Sequence, residues 1–120
     1  MAFPSVLLPS LTECIQLDTV NVVYQLQETD TFSKWLSKVR DARALARILI
    51  RLEKLRQGHF GDTKSLKGGL HELRVHEGKG YRVYYTKRGQ QIIFLLAGGT
   101  KSSQQKDIEN ARAMLSELRS

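Results

Sequence analysis

Two arginines on neighbouring predicted strands are the residues of this sequence best suited to chemistry on an anion. Arg74 lies in the segment HELRV (residues 71–75), and Arg82 lies in GYRVYY (residues 80–85). If Gly78 centres the turn of a hairpin, the two arginines face each other across the strands. Like charges directly opposite each other are destabilising. We therefore predict that the pair holds an anion, with an RNA phosphate as the leading candidate.

Alternation along the hairpin predicts a core face and a polar face. The core face is formed by Leu73, Val75, Tyr81, Val83 and Tyr85. The polar face is formed by Glu72, Arg74, His76, Arg82 and Tyr84. Because Arg82 points away from the predicted core, we expect Arg82→Ala to leave the melting temperature unchanged or slightly raised. Tyr84 is placed to stack on a nucleobase, and His76 is a candidate base.

The positive charge of the chain is concentrated on the same segment. The whole sequence has a formal net charge of +7. Residues 64–101 contain eight Lys and Arg residues against two acidic residues, Glu72 and Glu77, which gives +6. Such a concentration is typical of a phosphate-binding surface. Two ordinary interpretations stay open: Arg82 could form a surface ion pair, and Arg74 could pair with Glu72.

Metal-free RNA cleavage requires loss of the 2′-OH proton, stabilisation of the phosphorane charge and protonation of the leaving 5′-oxygen. Arginine can supply only the charge stabilisation, because it stays protonated. Lysine or histidine can exchange protons when suitably placed. Lys101 follows Gly98-Gly99 at a predicted strand-to-helix junction, where backbone N–H groups favour anions. Lys64 and Lys67 add nearby positive charge.

Other classes of site are absent from the sequence. The motifs of P-loop nucleotide binding, zinc proteases and serine hydrolases do not occur, and the three histidines lack zinc-ligand spacing. We therefore expect no metal and no cofactor. The single cysteine, Cys14, indicates a reducing compartment. With neither a signal peptide nor a segment long enough to span a membrane, the sequence predicts a cytoplasmic protein.

The first half of the chain is predicted to contain a strand and two helices. Residues 20–27 form the strand, and Thr29 with Asp30 caps the first helix. The second helix starts at Asp41 and ends at Gly58. Its buried stripe is predicted to be Leu45, Ile48, Leu49, Leu52 and Leu55.

The second half is predicted to form an antiparallel meander and a last helix. A loop over residues 57–69 leads into the hairpin, and the apolar run 91–97 is a strand covered on both faces. Gly98-Gly99 then ends this strand, and Ser102 with Gln105 fits a capping box. The buried stripe of the last helix is predicted to be Ile108, Ala111, Leu115 and Leu118.

Together these elements predict an α+β fold of order β-α-α-β-β-β-α. All helices are expected on one face of the sheet, which leaves a basic face open. Residues 1–18, which contain two prolines, are predicted to be an N-terminal extension. Residues 19–120 are predicted to form a single domain.

Four ordered segments resemble the RelE/ParE toxin superfamily, and most closely its HigB-like branch of phage Gp49-related addiction module killer proteins. The segments are GDTKSLKG (61–68), ELR (72–74), GYRVYY (80–85) and GGTKSSQ (98–104), the last followed by Asp107-Ile108. The resemblance covers residues 20–118. It implies a RelE-like microbial RNase fold and a toxin of a type II toxin–antitoxin module. Such toxins cleave messenger RNA on the translating ribosome by metal-free attack of the 2′-OH.

The resemblance also implies roles for individual residues. Arg82 matches the family's strand arginine that contacts the scissile phosphate, and Arg74 lies on the strand that carries basic catalytic residues. Lys101 falls where many members place a basic residue. Asp107 stands where RelE has an important tyrosine, so the proton-transfer residues cannot be carried over. The predicted catalytic residues are Arg74, Arg82 and Lys101, and the predicted substrate-binding residues are Lys64, Lys67, His71, His76, Tyr84 and Gln104.

Three functions therefore compete at this point. The first is a ribosome-dependent mRNA endoribonuclease with an acidic antitoxin partner, a helix-turn-helix protein of the HigA type. The second is a ParE-like toxin that poisons DNA gyrase without cleaving RNA. The third is a nucleic-acid-binding module without catalysis. The cationic cluster of Arg74, Arg82 and Lys101 favours the first.

Overall fold

The computed structural model describes residues 23–119, which form one sheet with helices on both of its faces. The elements in chain order are β1 (Gln25–Glu28), α1 (Asp30–Ser37), α2 (Ala42–Arg56), β2 (Thr63–Ser65), β3 (His71–Val75), β4 (Tyr81–Arg88), β5 (Ile92–Thr100), a short 3₁₀ helix (Lys101–Ser103) and α3 (Gln104–Arg119). The α+β class is confirmed, and the RelE-like topology stays a prediction. Strand β2 was not predicted, because three polar residues give no strand signal. The extension over residues 1–18 lies outside the described residues.

Side-chain caps begin α1 and α2 at the predicted residues. The hydroxyl of Thr29 accepts a hydrogen bond from the N–H of Phe32 at 3.1 Å. The carboxylate of Asp41 accepts from the N–H of Ala44 at 3.2 Å. Each cap satisfies backbone donors that have no partner within the helix. Helix α2 ends at the predicted place, where Gly58 adopts a φ of 86°.

The five strands lie in the order β1-β5-β4-β3-β2. Strands β3, β4 and β5 form the predicted antiparallel meander, and β1 pairs parallel with β5. Arg74 lies directly opposite Arg82, as the sequence predicted. The β4–β5 register shifts between Tyr84 and Tyr85, which leaves Leu96 as an extra residue on β5. A bulge of this kind changes which side chains reach each face.

The prediction that all helices pack on one face of the sheet is wrong. Helices α1 and α2 cover the face that carries Leu73 and Val83, and this first core matches the predicted core face of the hairpin. Helix α3 covers part of the opposite face. This second core contains Leu70, Tyr84, Leu96, Ala97, Ala111 and Leu115, with Ile108 and Leu118 packed against it. The predicted stripe of α3 is thereby confirmed. The bulge places Leu96 and Ala97 on the same face, which provides the apolar surface that α3 needs.

Helix α2 buries a stripe slightly rotated from the predicted one. Ala44, Ile48, Leu52 and Leu55 are buried. Leu49 is 48% exposed, so its predicted burial is wrong. The observed stripe begins at Ala44, one position before the predicted Leu45. Among the described residues, no helix has the length and apolar character needed to cross a membrane.

Gly98 and Gly99 lie inside β5 and do not end it, contrary to the prediction. A Cβ at Gly98 would lie 2.2 Å from the ring of Trp35. A Cβ at Gly99 would lie 1.7 Å from a carboxylate oxygen of Asp107. Helices α1 and α3 therefore press on the same strand from opposite sides, and glycine is required at both positions.

We predict that Gly98→Ala lowers stability by about 1–3 kcal/mol, the usual cost of an overpacked core. The added methyl group forces the indole of Trp35 away from the sheet. Thermal unfolding measures the effect. The matched control is Gly89→Asn, because a Cβ at Gly89 meets no atom of residues 23–119 within 4 Å and asparagine tolerates its φ of 63°. Equal melting temperatures for the two variants would contradict the packing argument.

Candidate active-site cleft

A cleft opens beside the β3–β4 turn and brings the three predicted catalytic residues together. Its volume is about 360 Å³, near the lower end of the range of roughly 300–1,000 Å³ that is usual for ligand sites. We call it the cationic cleft. It is lined by Arg74, Val75, His76, Gly80, Tyr81, Arg82 and Lys101. Of the predicted substrate-binding residues, only His76 is among these.

The turn before β4 lines the cleft through Gly80. Gly80 adopts a φ of 76°, and a Cβ there would approach Nη1 of Arg82 at 3.5 Å and Cβ of Lys101 at 3.6 Å. The carbonyl of Gly80 accepts a hydrogen bond from Nη1 of Arg82 at 3.0 Å. The positive φ favours glycine at this position, and its backbone carbonyl holds the guanidinium of Arg82.

Arg82 forms an ion pair with a buried carboxylate. Its Nε lies 3.5 Å from Oε2 of Glu72, which is 1% exposed. The same oxygen accepts hydrogen bonds from the hydroxyl of Tyr84 at 3.2 Å and from Nε2 of Gln104 at 2.7 Å. Burial, followed by the negative charge of Glu72, raises the pKa of the Tyr84 phenol. The phenol therefore stays protonated and remains a donor to Glu72.

These contacts correct two site predictions. Tyr84 is completely buried beneath α3 and cannot stack on a nucleobase. Gln104 points to Glu72 and not into the cleft. Both errors follow from the position of α3, which alternation along the hairpin could not reveal.

Arg74 has a different acidic partner, which the sequence reasoning missed. Its Nη2 lies 3.3 Å from Oδ1 of Asp62, and Nε2 of His76 contacts Oδ2 of the same carboxylate. The hydrogen bond from His76, assisted by the charge of Arg74, holds the pKa of Asp62 below its usual value. Arg51 secures the segment by donating to the carbonyls of Arg74 at 2.7 Å and Asp62 at 3.3 Å. Asp62 lies in a loop, where no periodicity of the sequence predicts the direction of a side chain.

Each of the opposed arginines therefore has its own carboxylate. Arg82 pairs with Glu72 and Arg74 pairs with Asp62, so the pairing of Arg74 with Glu72 does not occur. The two arginines can coexist without an anion, contrary to the first argument from the sequence. Within residues 23–119, the Nε atoms of both are nevertheless buried and find no hydrogen-bond acceptor. The case for phosphate binding rests on the arrangement of Arg74, Arg82 and Lys101 around one cleft.

The geometry of His76 suits proton exchange. The imidazole is exposed, and its Nε2 contacts Asp62. When the ring is neutral and Nε2 donates to the carboxylate, Nδ1 carries the free lone pair. The orientation of the ring is thus set by Asp62, and His76 is one of the residues that line the cationic cleft.

Lys101 lies at the start of the segment that leads into α3. The hydroxyl of Ser103 accepts from the N–H of Thr100 at 3.2 Å and donates to Asp107 at 2.5 Å. The capping box thus uses Thr100 and Ser103, not the predicted pair. Because α3 begins next to the cleft, the positive end of its dipole adds to the charge of the exposed Lys101.

Three predicted substrate-binding residues lie away from the cationic cleft. Lys64 is exposed on the edge strand β2, and Lys67 occupies the following turn with a φ of 74°. His71 stacks on Tyr85 at a centroid distance of 5.2 Å, on the side of the first core. Among residues 23–119 no group of three or more His, Cys, Asp or Glu side chains is arranged to hold a metal ion.

The fold and the cleft define a small α+β protein with a cleft lined by three cationic side chains, Arg74, Arg82 and Lys101. The sequence matches the family model described as "Phage derived protein Gp49-like (DUF891)" over residues 34–116, and the chain belongs to this family. The family is one of addiction module killer proteins within the RelE/HigB-like group of toxins. The predicted toxin class is therefore confirmed.

The chain is also similar to a bacterial protein over most of its length. A protein of Haemophilus influenzae (strain ATCC 51907 / DSM 11121 / KW20 / Rd), named "Uncharacterized protein", is 47% identical over 94 residues. The aligned region covers 78% of this chain and 95% of the relative.

We predict that Arg82→Ala destabilises the protein by roughly 3–5 kcal/mol, the usual effect of removing one partner of a buried ion pair. This corrects the expectation of unchanged stability, because Glu72 would remain buried without its cation. Chemical unfolding measures the loss. The double variant Arg82→Ala/Glu72→Gln should recover much of it, since the charge is then removed. A single variant as stable as the wild type would show that Glu72 does not depend on Arg82.

We predict that His71 makes stability fall as the pH decreases below about 6.5, its ordinary pKa. Burial, assisted by the charge of Lys87, lowers the pKa of His71. The folded state therefore favours the neutral ring, and stability is lost as the pH falls through the lowered pKa. Urea unfolding between pH 7.5 and about 5 should show a shallower decline for His71→Phe, which keeps the ring stacking. An identical decline in both proteins would contradict this assignment.

Proposed function

We propose that this toxin is a metal-independent endoribonuclease that cleaves messenger RNA on the ribosome and thereby stops translation. The observation that carries the proposal is the convergence of Arg74, Arg82 and Lys101 with the His76–Asp62 pair in one cleft. These groups provide both positive charge and a proton-exchanging side chain. A cationic surface without such a residue would support only binding.

The proposed reaction uses groups of the RNA as nucleophile and leaving group. The 2′-oxygen attacks the adjacent phosphorus, the bond from phosphorus to the 5′-oxygen breaks, and a 2′,3′-cyclic phosphate and a free 5′-hydroxyl result. His76 accepts the 2′-OH proton at Nδ1. Arg82 and Arg74 stabilise the charge that develops on the phosphorane oxygens. Lys101 donates a proton to the leaving 5′-oxygen, so protons and charge balance.

A toxin of this family implies a cognate antitoxin. We propose that the partner is an acidic protein of the helix-turn-helix type, because carboxylates complement the +6 charge of residues 64–101. The cytoplasm, where messenger RNA is translated, is the proposed location.

Lys101→Ala is the variant that best separates catalysis from folding. Lys101 is exposed, so its truncation should change stability by no more than about 0.5 kcal/mol. Loss of a charge-stabilising or proton-donating group should reduce cleavage by roughly 10²–10³. The matched control is Lys106→Ala, which removes the same charge from the exposed surface of α3. The measurement is a map of transcript 5′ ends after brief induction in bacteria, with and without the antitoxin.

Each outcome of this experiment has a defined meaning. New 5′ ends with the wild type and Lys106→Ala, but not with Lys101→Ala or in the presence of the antitoxin, would support the proposal. Growth arrest with intact transcripts and accumulation of gyrase-linked DNA breaks would instead support the ParE-like alternative. Soluble toxin that affects neither growth nor transcripts would contradict both.

A further inference from the structure

A second cleft opens at the same end of the sheet, on the side of α1 and α2. Its volume is about 470 Å³. We call it the tryptophan cleft. Its lining includes Trp35, Lys38, Val39, Arg40, Lys79 and Tyr81. None of them belongs to the predicted catalytic or substrate-binding set.

The apolar part of this cleft consists of aromatic side chains that pack against the sheet. Trp35 packs against Gly98 and against the ring of Phe32, with ring centroids 5.6 Å apart. Tyr81 is 7% exposed within the first core. Trp35 itself is only partly buried, so part of the indole is accessible to a ligand. A fixed and partly exposed aromatic ring is a stacking surface whose ordering cost has already been met by folding.

The rim of the tryptophan cleft is cationic. Lys38, Arg40 and Lys79 are all exposed. Asp41 also lines the cleft, but one of its carboxylate oxygens accepts hydrogen bonds from the first turn of α2. Aromatic walls with surrounding Lys and Arg are the combination that binds single-stranded nucleic acid. A free phosphate ion would make no use of the apolar side chains that line the cleft.

The two clefts meet around the end of the sheet. Tyr81 lines both of them, and its neighbour Arg82 points to the opposite face. Lys79 lines the tryptophan cleft immediately before Gly80 of the cationic cleft. Likewise Thr100 lines the tryptophan cleft, and the next residue, Lys101, lines the cationic cleft. A single strand that bends over the β3–β4 turn can therefore occupy both.

We propose that the tryptophan cleft binds the base of an RNA nucleotide that flanks the scissile phosphate, stacked on Trp35, with the backbone phosphate held by Lys38 and Arg40. This inference rests on the proposed endoribonuclease function and adds the site that reads the neighbouring nucleotide. The substrate is then unpaired RNA, because a base in a duplex cannot enter the cleft.

Trp35 is the only tryptophan in the chain and reports directly on the site. The probe is a short RNA with 2′-O-methyl riboses, which cannot be cleaved by 2′-OH attack. Its addition should quench Trp35 fluorescence with saturation. Lys38→Ala/Arg40→Ala should weaken binding by roughly tenfold or more, since two phosphate contacts are lost. The matched control Lys54→Ala/Lys106→Ala removes two exposed charges outside both clefts and should keep the wild-type affinity.

A second measurement tests the site on the natural substrate. If the cleft reads a flanking base, the 5′-end maps of Lys38→Ala/Arg40→Ala should show a relaxed base preference at one position beside the cut. Unchanged preference, together with RNA binding that leaves Trp35 fluorescence unaltered, would overturn the proposal. Quenching by the antitoxin but not by RNA would also overturn it, because the cleft would then be a protein-docking site.

The failure of this inference is distinguishable from failure of the proposed function. Cleavage that is lost in Lys101→Ala, with neither Trp35 quenching nor a changed base preference, would leave the endoribonuclease intact and remove the base site. Saturable quenching by RNA without cleavage by the wild type would support the base site and overturn the endoribonuclease.

Discussion

The buried carboxylate of Glu72 is the interaction on which the cationic cleft depends. It lies on β3 and receives Arg82 and Tyr84 from β4 and Gln104 from α3. A charge that is 1% exposed is tolerated only when such partners surround it. One carboxylate oxygen therefore contacts side chains from β4 and α3. It links the orientation of Arg82 to the burial of Tyr84 and to the position of α3.

This arrangement explains how a sheet can hold two arginines opposite each other. Glu72 compensates Arg82 on the side of the second core, while Asp62 compensates Arg74 from the β2 side. Glu72 and Asp62 offset the charges of the two arginines, and the exposed Lys101 adds a further positive charge to the cleft.

Local signals in the sequence predicted much of the scaffold. Residue type predicted the helix caps at Thr29 and Asp41. Alternation within a few positions predicted that Arg74 lies opposite Arg82. The cleft brings together Arg74, Arg82, His76 and Lys101, whose functional roles stay predictions. What could not be predicted depends on distant contacts. The bulge at Leu96 directs α3 to the second face, and this explains the errors at Tyr84 and Gln104.

The two glycines of β5 also have a genetic consequence. Every single-nucleotide missense change in a glycine codon introduces a residue with a Cβ. At Gly98 and Gly99 that atom would collide with Trp35 or Asp107. Bacteria that escape growth arrest by mutation can therefore inactivate the toxin at these two codons through misfolding alone. Survivors with changes there report on the integrity of the strand and not on the chemistry of the cleft.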